Sequence, residues 1–147
     1  MGSIRLFVYG SLRPGQQSWG VIADHIESWL SGTVSGLGLW HLPEGYPAVS
    51  PTARGHVVGE LLLGREGSPL LRSADAFERY DPSHPSSPQN LYVRRRVSVQ
   101  TVEHGLLEAW TYAYHPSRAD YLKHHGVPVP TGDWCDFLAS REVTDED

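Results

Sequence analysis

The sequence predicts a single mixed α+β domain, and three observations carry the prediction. A short apolar run, Ile-Arg-Leu-Phe-Val-Tyr at 4–9, stops abruptly at Gly10 in the manner of a buried strand. The stretches 91–101 and 107–114 alternate residue by residue on either side of a His104-Gly105 turn, the pattern of a hairpin. Two further segments, 19–30 and 69–80, carry apolar residues at helical spacing. At 147 residues the chain can close one core around a small-molecule pocket but has no room for a separate cofactor domain.

Each element has its own justification. After the first strand, Pro14 and Gly15 mark a loop. Ser18 is placed to cap a helix over 19–30, with Trp19, Ile22, Ala23, Ile26, Trp29 and Leu30 on its apolar face. Glycine-dotted strands are expected over 33–42 and 55–63, separated by the turn-prone Leu-Pro-Glu-Gly-Tyr-Pro stretch at 42–47. Ser68 then caps a second helix over 69–80 with Pro69 at its first position, and Asp81-Pro82 stops it. Residues 83–90, rich in Ser and Pro, read as an exposed loop, and the acidic tail at 140–147 is expected to fray.

Composition narrows the partners. A net charge of -5 and a pI near 5.9 exclude a broad electrostatic footprint for nucleic acid or an anionic membrane. One cysteine makes no intrachain disulfide, and no apolar segment reaches the length of a membrane span or a secretion signal, so the expected compartment is the cytoplasm. Monomer and homodimer both stay open. His124 and His125 are adjacent and cannot face one ion from regular structure, no Cys/His pair has zinc spacing, and no metal site is expected. Ser11 lacks the Gly-x-Ser-x-Gly setting of a serine hydrolase, and Cys135 reads as a small buried hydrophobe.

One residue sits where its chemistry is out of place. Glu78 falls seven residues after Leu71 and four after Ala74, so helical phasing leans its carboxyl along the stripe that packs into the core. Loss of water disfavours the charged form and raises the pKa, which suits a group that must take and give a proton near neutrality. The competing reading has Glu78 snorkelling to solvent or pairing with Arg79 or Arg94. Asp75, on the same stripe, reads as structural. Within Arg94-Arg95-Arg96 the middle residue faces away from its neighbours, so the run makes no continuous patch, though Arg94 or Arg96 can meet a carboxylate. Tyr92 and Trp110 are candidates for either the pocket wall or plain packing.

Tyr9-Gly10-Ser11-Leu12 leaves its strand through a glycine, which lets backbone N–H groups approach an anion or a carbonyl oxygen; a simple tight turn is the alternative. The run Leu-Phe-Val-Tyr-Gly-Ser-Leu-Arg-Pro-Gly-Gln at 6–16 resembles the signature loop of the gamma-glutamylcyclotransferase-like superfamily, including its gamma-glutamylamine and avirulence-induced-gene branch. Ala-Asp-Ala-Phe-Glu at 74–78, Tyr-Val-Arg-Arg-Arg-Val-Ser-Val at 92–99, and Gly132-Asp133-Trp134 with Phe137-Leu138 resemble its later motifs in order.

That resemblance implies a curved mixed sheet or small β-barrel flanked by the two helices. It also implies a cofactor-independent cyclotransferase that releases 5-oxoproline from a small γ-glutamyl amine or peptide. Glu78 would be the proton carrier, and Tyr9, Gly10, Ser11, Leu12 and Tyr92 would bind substrate. The rival is a non-catalytic module of the same fold that binds a small acidic ligand or a protein. Two departures stand out: Ala74 where the family commonly has leucine, a change expected to widen the pocket, and Arg79 where it commonly has glycine.

Overall fold

The computed structural model describes residues 4–146, with side chains described through Arg141. Nine main elements follow in order: β1 (Ile4–Val8), β2 (Ile26–His41), β3 (Pro47–Gly64), α1 (Leu70–Phe77), β4 (Tyr92–Thr101), β5 (Gly105–Tyr114), α2 (Ala119–His125), β6 (Val127–Pro128) and α3 (Trp134–Glu146). The described strands form one sheet in the order β3-β1-β5-β4-β2-β6. A further β2–β3 pairing closes five of them into a ring, so the curved sheet is a small barrel. β1 runs parallel to β5 and every other pairing is antiparallel. No described helix is long and apolar enough to cross a membrane.

Period-two alternation sorts the strands into two cores. Phe7, Tyr9, Leu61, Val97, Val99, Ala109 and Ala113 cluster on one face of the ring with Val34, Val57 and Trp134. Their neighbours Leu6, Val8, Leu62, Tyr92, Tyr112 and Tyr114 form the second core with Leu70 and Ala74 of α1 and Ile22. Helix α1 is therefore held against the barrel wall, its first residue Leu70 beside Gly64 where β1 begins and its C-terminus sharing a cavity with the loop that follows β1.

The expected helix at 19–30 does not form. Trp19–Val21 and Ala23–His25 are single 3₁₀ turns, and β2 begins at Ile26. Local spacing lost to long-range pairing: β2 is in register with β3 from Ile26 opposite Gly64 to His41 opposite Pro47, with shifts at Ile26/Ser28 and Ser35/Leu37. Trp29, assigned to a buried helical face, is exposed and meets Trp19 edge-on at 5.4 Å. Of the two helices expected to flank the sheet, α1 remains, joined by α2 and α3.

Both middle strands run longer than expected. Gly36 takes a φ of 87° at the second register shift, and this bulge lets Pro51 sit within β3 opposite Leu37. Helix α1 is shorter than 69–80. Pro69 holds the N-cap position with no side-chain cap, and the Ser68 hydroxyl is buried without a partner among the described residues. The helix ends ahead of Asp81-Pro82 because Arg79 turns left-handed. Of the tail at 140–147, the backbone is helical to Glu146, side chains beyond Arg141 are not described, and Asp147 lies outside the described residues.

Candidate functional site

A cavity of about 340 Å³ opens where the loop after β1 faces the end of α1, and Tyr9, Gly10, Ser11, Leu12, Glu78 and Tyr92 all line it. Tyr46, Phe77, Arg79, Tyr112 and Trp134 share the wall. Trp110 does not reach the cavity: it packs against the outer core, with the Arg94 and Arg96 guanidiniums 5.1 and 5.0 Å from its ring.

Glu78 is the C-cap of α1: its N–H donates to the Ala74 carbonyl, and the Arg79 N–H that follows donates to that of Ala76. Buried Leu70 and Ala74 seat the helix, and the next turn of that face delivers the carboxyl to the cavity. Burial pushes its pKa up from 4.5 to about 8, and no counter-charge among the described residues offsets the lost hydration. In turn the Glu78 charge adds to burial in holding the Tyr9 and Tyr92 phenols protonated. Both phenols are committed to backbone: Tyr9 donates to the Tyr112 carbonyl at 2.6 Å and Tyr92 to that of Pro47 at 2.5 Å. They shape the wall and fix the loop ends.

The loop closes through its carbonyls. Arg13 N–H donates to Gly10 O at 3.1 Å and Ser18 N–H to Ser11 O at 2.9 Å, bonds in which the N–H groups of residues 10–12 take no part. Gly10 is required by close approach, since a Cβ there would lie 2.7 Å from Pro47 Cγ. Arg13 bolts the loop down: Nε and one terminal nitrogen grip Glu60 at 2.7 and 3.0 Å, and the other terminal nitrogen reaches Asp133 at 3.0 Å. Asp133 also accepts from the Cys135 and Asp136 N–H groups at the start of α3. The Trp134 indole donates to His41 at 3.0 Å, which fixes the ring at the cavity wall.

The other carboxylate of α1 has a different fate. Asp75 takes two bonds from Arg94, at 2.9 and 3.0 Å, and one from the Tyr112 hydroxyl at 2.5 Å. Arg94 is thus occupied by Asp75 and does not pair with Glu78. Chemically the site offers one desolvated carboxyl, its pKa pushed up to about 8, on the wall of a small cavity that the Gly10–Leu12 loop also lines, an arrangement suited to moving a proton beside a polarised carbonyl.

The family model described as gamma-glutamyl cyclotransferase, AIG2-like, matches residues 6–136. The chain belongs to that family. Solved structures agree on the fold. An Arabidopsis thaliana protein solved in solution superposes with TM-score 0.61 at 25% identity, over 79% of this chain and 71% of that one. An AIG2-like protein of Mus musculus gives 0.61 at 24% identity, over 80% and 82%. YkqA of Bacillus subtilis gives 0.68 at 21% identity, over 97% of this chain but only 43% of its own. No curated protein sequence matches.

Against the gamma-glutamyl cyclotransferase, AIG2-like pattern, the two departures behave differently. Ala74 packs in the outer core and does not line the cavity, so its small size does not enlarge the pocket. Arg79 does line it. Sequence reasoning missed Glu60 and Tyr46 altogether. The signal for Glu60 was faint: an acidic residue in an otherwise apolar strand, with Arg13 as the unplaced cation of the signature loop.

Proposed function

We propose that this protein is a cyclotransferase that converts a γ-glutamyl amine or peptide to 5-oxoproline and a free amine by intramolecular aminolysis. The single observation that carries the reading is the Glu78 carboxyl, desolvated and without an ion-pair partner among the described residues, in a cavity that the Gly10–Leu12 turn also lines. Family membership supports it.

In this mechanism the α-nitrogen attacks the γ-carbonyl carbon of its own chain, the ring C–N bond forms, and the bond to the departing nitrogen breaks. No water is consumed. Holding nucleophile and electrophile in the ring-closing conformer is the main gain, and such positioning can supply roughly 7–11 kcal/mol. The α-amine, with a pKa of about 8, arrives largely protonated at neutral pH. Ionised Glu78 takes one proton from it before attack and delivers that proton to the departing nitrogen. The second proton lost by the ring nitrogen leaves with the amine, which departs as an ammonium. The N–H groups of residues 10–12 hold the developing oxyanion or the α-carboxylate.

The direct test is Glu78→Gln, assayed for 5-oxoproline release from a panel of γ-glutamyl amines and peptides. Loss of release with the fold intact is expected. Near-normal turnover excludes Glu78 as the proton carrier, and binding without any release by the unaltered protein favours a non-catalytic ligand-binding module.

A further inference from the structure

Helix α1 ends on a residue that its backbone disfavours. Arg79, with φ of 57°, is the one described non-glycine residue in the left-handed region. Its N–H donates to Ala76 O at 3.3 Å and the Tyr80 N–H to Asp75 O at 2.9 Å, the Schellman closure in which glycine is the favoured occupant. A strained non-glycine residue held at a cavity wall is a reason to ask what its side chain does there. Arg79 lines the same cavity as its neighbour Glu78 and is itself exposed, which places it at the mouth.

The cation has no carboxylate partner among the described residues. Its charge is felt at the Tyr46 phenol on the cavity wall, where Arg118 acts in the same sense. Arg118 does not line the cavity: its side chain is hydrogen-bonded to the Tyr114 phenol, and its Nε alone is buried with no hydrogen-bond partner among the described residues. Burial and the Glu44 carboxylate act on the Tyr46 phenol in the opposite sense and outweigh both arginines, and Glu44 accepts a hydrogen bond from the Tyr121 hydroxyl. The mouth beside Tyr46 therefore carries, in Arg79, an exposed cation with no ion-pair partner among the described residues, on a protein whose net charge is -5.

We infer that Arg79 is a specificity-determining residue that recognises a carboxylate on the departing amine, so that γ-glutamyl conjugates of amino acids or peptides are preferred over those of uncharged amines. The inference rests on the proposed function. Its geometry follows from that reading. The scissile nitrogen must lie against Glu78, and the glutamyl end runs inward to the Gly10–Leu12 donors. The departing group then points outward past the next residue in the chain, which is Arg79.

The test compares γ-glutamylglycine with its neutral isostere γ-glutamylglycinamide, using the full chain. The unaltered protein is expected to favour the glycine conjugate at least tenfold in kcat/KM. Arg79→Gln should lower that ratio about tenfold, chiefly through KM, and Arg79→Lys should restore part of it. Equal losses on both compounds would mean that Arg79 holds the glutamyl carboxylate common to the two, or acts only structurally; that outcome overturns the inference, as does no loss on either. If neither compound yields 5-oxoproline, the reaction reading fails separately and calorimetric titration with the same pair decides. Tighter binding of the glycine conjugate, lost in Arg79→Gln, then sustains the anion site, and equal or absent binding removes it.

Discussion

Asp75 and Glu78 stand three residues apart on the same buried face of one short helix, yet the protein treats them in opposite ways. Asp75 is 5% exposed and fully engaged, with two bonds from Arg94 and one from Tyr112. Glu78 loses its water and receives no cation in exchange, and its pKa rises to about 8. Burial is common to both, so burial alone does not make an acid/base. The counter-charge decides: a carboxylate given an arginine becomes a fixed strut, and one denied it keeps a raised pKa, which suits it to the proton transfer proposed for it. Arg94 serves the second role by serving the first, because its commitment to Asp75 keeps it away from Glu78.

Removing each carboxylate in turn should separate the roles. Glu78→Gln is the largest expected effect: a loss of about 10²- to 10⁴-fold in kcat for 5-oxoproline release, with the melting temperature at neutral pH unchanged or raised. Asp75→Ala should do the reverse. It strands the Arg94 guanidinium, whose side chain is 18% exposed, and is expected to cost about 3 kcal/mol in denaturant unfolding. A destabilised Glu78→Gln beside a stable Asp75→Ala would invert the assignment of the two residues.

How much of this contrast was legible in the sequence depends on the range of the interaction. Glu78 was visible because phasing within one helix is local, and the hairpin of β4 and β5 was visible because its turn is local. The helix expected at 19–30 failed for the complementary reason. Trp19, Ile22, Ile26, Trp29 and Leu30 have helical spacing, but the strand at Ile26–His41 is dictated by β3, whose pairing no local window contains. Barrel closure is still less visible, since β2 meets β4 at Gly32 and Thr33 alone. In the site, Arg13 and Asp133 each belong to a motif, but their bond spans 120 positions. Arg94 was read as a partner for Glu78 or a ligand; only the folded chain shows that Asp75 holds it.

Titration sharpens the comparison in a second way, with an effect smaller than the loss of a catalytic group. The Glu78 pKa lies near 8 in the folded chain and near 4.5 when unfolded. Between those values the unfolded state releases a proton that the folded state keeps, so stability is greatest below pH 4.5, falls as pH rises and levels off above pH 8. The melting temperature of the unaltered protein, measured against Glu78→Gln, should therefore drop steadily from pH 5 to pH 8. Activity moves differently. The reactive complex holds one proton between Glu78 and the α-amine, and both titrate near pH 8. The kcat/KM profile should be a bell centred near that pH, falling on the acid side as Glu78 is protonated and on the alkaline side as no proton remains for the departing amine. A profile flat from pH 6 to pH 9 would remove Glu78 from the chemistry.

The smallest effect concerns the third bond to Asp75. Tyr112→Phe deletes the hydroxyl that donates at 2.5 Å but leaves the Arg94 pair in place, so Asp75 keeps a charged partner. The expected cost is about 1–2 kcal/mol, the range of a single hydrogen bond to a charged group. Asp75→Asn changes the same bond from the other end, and the two substitutions together should cost less than the sum of their separate costs, with a coupling of about 1 kcal/mol. Simple additivity would mean that the hydroxyl contributes through the cavity wall and not through the carboxylate. In that case the Asp75 network is the Arg94 pair alone, and Tyr112 belongs on the Glu78 side of the comparison, where burial and the Asp75 and Glu78 charges already hold its phenol protonated.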